Sequence, residues 1–113
     1  MEKQCPPRLL LHLGDFPANG MSRRLWETEF FGPAARLLRR VPLRAVIGNH
    51  EGRNGFFATF FPTTRRGFYY SFDFGPAHVV VLDTVYAPLK RGSMQHRWLA
   101  GDLGDISESV RQR

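Results

Sequence analysis

Two segments, Leu9-Leu10-Leu11-His12-Leu13-Gly14-Asp15 and Leu43-Arg44-Ala45-Val46-Ile47-Gly48-Asn49-His50-Glu51, share one plan. Each is a short apolar run, then a glycine, then a side chain whose oxygen can ligate a metal. Apolar runs of this length, stopped by turn residues, predict buried strands. Between them lies helix chemistry. Ser22 can cap a helix carrying Leu25, Trp26, Glu29 and Phe30, and Gly32-Pro33 interrupts it. Pro33 suits the first position of a second helix with Leu37 and Leu38, which Pro42 ends. A strand, a helical crossover and a second strand form a parallel pair. Ligands of open α/β sheets collect outside the carboxyl ends of such strands. Asp15 and Asn49 are therefore expected on one rim, and the glycines permit a tight exit and close backbone approach to an ion or a phosphate.

Downstream, the Gly- and Phe-rich stretch from Gly52 to Pro62 reads as an ordered loop. Phe68 to Phe74 alternates, with Phe68, Tyr70, Phe72 and Phe74 on one face and Tyr69, Ser71 and Asp73 on the other. That is the pattern of a half-buried strand. Gly75-Pro76 turns into a further strand, His78 to Asp83, which predicts a hairpin. Gln95 to Leu103 predicts a last short helix with Trp98 and Leu99 facing inward. The fold class is α/β.

The 113 residues allow one small domain, and their composition is globular. No apolar run approaches the roughly 18 residues of a membrane span, and Met1 to Pro7 holds no signal-peptide core. Cys5 is the one cysteine, which rules out an intrachain disulfide or a multi-cysteine zinc site. The net charge of +6 comes mostly from arginines spread as Arg23-Arg24, Arg39-Arg40, Arg65-Arg66 and single residues. With no block of five like charges, it reads as solvated surface rather than a polyanion site.

The two strand ends carry the chemistry. A carboxylate such as Asp15 can bridge two divalent ions, and the amide oxygen of Asn49 adds a neutral hard ligand. His50 can give a proton or a hydrogen bond to a departing oxygen. Gly14-Asp15 alone is a common turn. Gly48-Asn49-His50-Glu51 after a Val/Ile strand is far more specific.

With Asn19-Gly20 following Gly14-Asp15, these segments resemble the second and third motifs of the calcineurin-like metallophosphoesterases. The resemblance continues through Trp26-Glu27-Thr28-Glu29-Phe30-Phe31, Phe60-Phe61-Pro62, Tyr69 to Gly75, Val81-Leu82-Asp83-Thr84 and Gln95 to Leu103. That succession is most similar to the catalytic domain of purple acid phosphatase-type enzymes. It implies a two-metal hydrolase of phosphate esters with an α/β/β/α sandwich, of which residues 1–113 form a single, incomplete, central portion. By the same resemblance Asp15 bridges both metals, Asn49 ligates the second, and His50 contacts the phosphate and assists the leaving group. A metal-activated hydroxide would be the nucleophile. Purple acid phosphatases carry a ferric-ligating tyrosine three residues beyond the bridging aspartate, where this chain has Ala18. The resemblance thus carries over a generic divalent pair (Mn, Fe or Zn), not a ferric tyrosinate. The family's first motif and its later metal histidines have no counterpart in the chain. An impaired fragment is therefore expected, or a homo-oligomer if the incomplete domain folds.

The other chemistry-bearing residues read as structural. His12 and His78 are expected as core or strand-edge histidines, Asp83 as a turn or cap residue, and Glu51 as an orienter of its loop. Phe56, Phe57, Phe60 and Phe61 are expected to pack the loop that carries them, and Cys5 to be an exposed thiol. Two rival functions remain. One is a non-catalytic remnant that binds a partner. The other is an RNA-binding module, since Arg66-Gly67-Phe68 and Tyr69-Tyr70 begin like an RRM strand. Asp73 would face phosphate unfavourably there, and Gly48-Asn49-His50-Glu51 would have no role.

Overall fold

The computed structural model describes residues 5–61 and 67–111. Pro62 and the Arg65-Arg66 pair lie outside them, as does Arg66 of the RRM-like stretch. The chain divides into two compact units, Met1–Pro62 and Thr63–Arg113.

In the first unit β1 (Leu10–His12) and β2 (Leu43–Ala45) pair in parallel, with Leu10 opposite Leu43 and His12 opposite Ala45. The expected crossover is present. Both strands are shorter than their apolar runs, and β1 is only half-buried: Leu11 within it is 48% exposed and Leu13 just beyond it 79%. In a two-stranded sheet the helical layer covers one face, so alternate leucines stay bare.

The crossover departs from expectation at Gly32-Pro33. Ser22 does cap α1 (Arg23–Leu25), its Oγ accepting the Leu25 N–H at 3.3 Å. The helix then runs without a break through a π-helical turn, Trp26–Phe31, into α2, Gly32–Leu38. The Gly32 N–H donates to the Glu27 carbonyl, five residues back. Proline has no N–H to continue an α-helical ladder, and its ring collides with the carbonyl four residues before it. A wider turn absorbs the misfit, so Pro33 changes the winding and does not end the helix.

The core of this unit is aromatic. Trp26 is fully buried, and Phe16, Phe30 and Phe57 nearly so. Phe16 lies 4.7 Å from Phe30 and 5.4 Å from Trp26 between ring centres, and Phe60 lies 4.9 Å from Phe31. The stretch expected as loop contains a helical turn, α3 (Phe57–Phe60), which delivers its phenylalanines to this cluster.

The second unit is a hairpin and a helix. β3 (Tyr70–Phe74) and β4 (Ala77–Val81) are antiparallel, with Asp73 opposite His78. Gly75, at φ +57°, takes the first position of the two-residue turn, where a positive φ is required. Tyr69 is 2% exposed, with its ring 5.0 Å from Trp98, whereas Phe74 is 38% exposed. Alternation identifies two faces but does not say which of them a helix covers. Here α4 (Met94–Arg111) pairs with the Ser71 side: Ser71 Oγ donates to Asp102 Oδ1 at 2.6 Å. Asp83 caps a turn, its Oδ1 accepting the Val85 and Tyr86 N–H groups at 2.9 Å. Gln95, 1% exposed, clamps the Asp83 backbone by accepting its N–H at 2.8 Å and donating to its carbonyl at 2.9 Å. No helix among the described residues is long and apolar enough to cross a membrane.

Candidate functional site

The loops leaving β1 and β2 meet. Gly14, at φ +102°, abuts Gly48 so closely that a Cβ on it would lie 2.6 Å from the Gly48 nitrogen. Asp15 follows at φ +59°, a left-handed conformation that aspartate tolerates and most residues do not. Its Oδ1 accepts the backbone N–H of His50 at 3.0 Å. A Cβ on Gly48 would sit 2.4 Å from that same Oδ1, so only glycine lets the carboxylate reach across. Asp15, Asn49 and His50 are all solvent-exposed on this rim.

Glu51 lies beneath them, fully buried. Its Oε1 accepts the Phe16 N–H and its Oε2 the Gly48 N–H, each at 2.5 Å. The Gly20 N–H donates to the His50 carbonyl at 2.7 Å, and the Phe56 N–H to the Gly20 carbonyl at 3.1 Å. The indole N–H of Trp26 also donates to the Gly20 carbonyl, at 2.9 Å. The rim is thus tied to the aromatic core through Gly20. His12 belongs to its support. Its ring stacks on Phe16 with centres 3.7 Å apart, and its Nδ1 accepts the Gly14 N–H at 3.1 Å. Burial pushes its pKa down against the opposing fields of Glu51 and Asp15, which suits a neutral ring accepting at Nδ1.

The donor set is chemically right for a divalent ion but short in number. A carboxylate and an amide are hard oxygen ligands, yet each ion needs about four to six donors. Among the described residues no three His, Cys, Asp or Glu side chains converge as a metal site requires. These residues therefore do not by themselves make a dinuclear centre.

Sequence reasoning missed a second polar cluster, in the hairpin unit. His78 Nδ1 lies 2.6 Å from Asp73 Oδ1 and its Nε2 2.7 Å from Asp102 Oδ2, so both ring nitrogens are engaged by carboxylates. Hydrogen bonds to Asp73 and Asp102 hold the His78 pKa above its usual value. Burial works against ionisation of Asp102, but hydrogen bonds from Ser71 and His78 outweigh it and keep the carboxyl below its usual range. The available signal was the hairpin register, which sets Asp73 opposite His78.

Comparison with known proteins places the chain in a family. The family model described as calcineurin-like phosphoesterase matches residues 2–106. The chain belongs to the calcineurin-like phosphoesterase family. It is 35% identical over 104 residues to acid phosphatase type 7 of Homo sapiens, a match covering 83% of this chain and 24% of the relative. The Mus musculus acid phosphatase type 7 gives the same figures. The chain thus spans about a quarter of the length of these relatives. No solved structure gives a significant match. The members of this family generally use a pair of metal ions, and phosphate esters are the substrate class the family implies.

Proposed function

We propose that this chain carries part of a phosphate-ester hydrolase site, with Asp15 and Asn49 as metal-side ligands and His50 as the group that meets the phosphate and the departing oxygen. The observation that carries this reading is the Asp15–His50 contact at the carboxyl ends of two parallel strands. Pinning the His50 backbone to Asp15 leaves its ring at an exposed rim, where it can donate a proton to a leaving alkoxide. The remaining donors come from outside the described residues, either elsewhere in a longer protein or from a second copy of the chain. The family match runs across both units, which supports reading residues 1–113 as parts of one domain. The ions are a divalent pair drawn from Mn, Fe and Zn, since Ala18 supplies no phenolate.

The test is metal stoichiometry by elemental analysis after exposure to Mn, Fe and Zn, followed by hydrolysis of p-nitrophenyl phosphate. Two ions per chain, with uptake lost in Asp15→Asn, is the expected result for a competent assembly. Equal uptake by the wild type and Asp15→Asn would overturn the assignment of Asp15. No uptake in either would leave a non-catalytic remnant as the better reading.

A further inference from the structure

We propose that Glu51 is a positioning residue, whose buried carboxylate spans the two strand-end loops and holds Asp15 against the His50 amide. This rests on the reading of Asp15, Asn49 and His50 as working residues, and it concerns how they are held.

The argument begins with where its two bonds land. Phe16 directly follows Asp15, and Gly48 directly precedes Asn49. Glu51 takes the N–H of each, one per carboxylate oxygen. Each metal-side residue therefore has an immediate neighbour fixed to the same rigid group, and the distance between the anchors is set by one carboxylate. The chemistry demands that group. Two converging N–H donors need two acceptors on one side chain, which an ionised carboxylate supplies. Glutamine matches its shape but offers one acceptor and one donor, so one backbone N–H would face another N–H. Aspartate keeps both acceptors on a stem one methylene shorter, too short to serve both loops.

Burial sharpens the point. A fully buried carboxylate is costly unless strong hydrogen bonds offset its lost hydration. No Lys, Arg or His among the described residues forms a salt bridge with Glu51. Its compensation is the pair of charge-assisted bonds to the site loops. Its own backbone is wedged as well, since a Cβ on Gly20 or Gly55 would lie 1.9 or 2.2 Å from the Glu51 carbonyl oxygen. The crossbar can neither swing nor slide without parting the loops.

Amide hydrogen exchange by NMR on the 113-residue chain tests this without metal or substrate. His50 is exposed, so protection of its N–H reports the bond to Asp15 Oδ1. The Val46 N–H, bonded to the His12 carbonyl at 2.9 Å, reports the β1–β2 ladder independently. In Glu51→Gln the His50 amide is expected to exchange at least about tenfold faster while Val46 keeps its protection, as a local opening requires. Equal acceleration of both amides, or of neither, overturns the proposal. If Glu51→Gln does not fold, the same pair is read in Glu51→Asp, where selective release of His50 supports it and unchanged or parallel exchange overturns it. A chain that takes up no metal would sink the proposed function while leaving this result to stand or fall on its own.

Discussion

The Asp15 carboxylate accepts the backbone N–H of His50 at 3.0 Å, joining two positions 35 residues apart in the chain. The bond costs Asp15 a left-handed backbone, and it needs Gly48 to carry no side chain. Strain of this kind collects at functional sites, where surrounding contacts over-determine an otherwise unfavourable geometry. Here those contacts are Glu51 below and the Gly20–Trp26 bond beside it.

Gly20→Ala should be among the most damaging single substitutions in the first unit. Its Cβ would lie 1.9 Å from the Glu51 carbonyl oxygen and 2.3 Å from the Glu51 Cα. Backbone atoms cannot rotate away. A loss of about 4 kcal/mol or more is expected in urea unfolding followed by circular dichroism. A melting temperature near that of the wild type would show that the loops can separate at little cost.

Trp26→Phe separates the indole's hydrogen bond from its bulk. The variant keeps an aromatic ring in the cluster but removes the donor to the Gly20 carbonyl. The Gly20 carbonyl keeps the Phe56 N–H, so losing one of its two donors should cost about 0.5–1.5 kcal/mol. Trp26→Ala, which empties the centre of the cluster, should cost about 3–5 kcal/mol. Comparing the two in denaturant titrations apportions polar and apolar terms.

Gln95→Leu fills the same buried space and strands both backbone groups of Asp83. A cost of about 2–4 kcal/mol is expected, because two buried polar groups lose their partner while apolar volume is retained. Hydrogen exchange should locate the loss in the hairpin unit, with faster exchange at Asp83.

The hairpin unit should also respond to pH through His78. Its folded pKa lies above 6.5, so its contribution is complete below about pH 6.5 and is lost as pH rises through the raised folded value. Asp102 runs the other way. Its folded pKa lies below 3.8, so its contribution is present above that value and is lost as pH falls through the depressed one. Greatest stability is expected between these limits, on the acid side of neutrality. Melting curves from pH 5 to 9 should show the alkaline decline in the wild type, and His78→Gln should flatten it. A wild-type curve flat across that range would sink the prediction.

Much of the first unit was legible in the sequence because its signals are local and redundant. Two apolar runs each ending in glycine, with a capped helix between them, lead to a parallel pair and a shared rim for Asp15 and Asn49. What escaped depends on context. The π-helical turn cannot be read from Gly32-Pro33, since the same dipeptide ends a helix wherever no aromatic core holds both sides together. The alternation of β3 separates two faces but leaves open which one is covered, because aromatic residues occupy both, and α4 decides for the Tyr69 side. The Asp73–His78–Asp102 cluster joins two strands and a helix, a convergence that no single stretch of sequence spells out.

The π-helical turn has a consequence for how this segment tolerates change in length. Each residue advances an α-helix by about 100°, so the wide turn at Trp26–Phe31 resets the phase of everything up to Leu38. Deleting one residue between Glu27 and Phe31 would let an ordinary ladder close again. The wide turn holds one residue more than an α-turn needs, so closing it would leave α2 near its present phase. Which residue is lost therefore matters more here than the loss of length: a gap at exposed Thr28 spares the aromatic cluster, and a gap at buried Phe30 opens it.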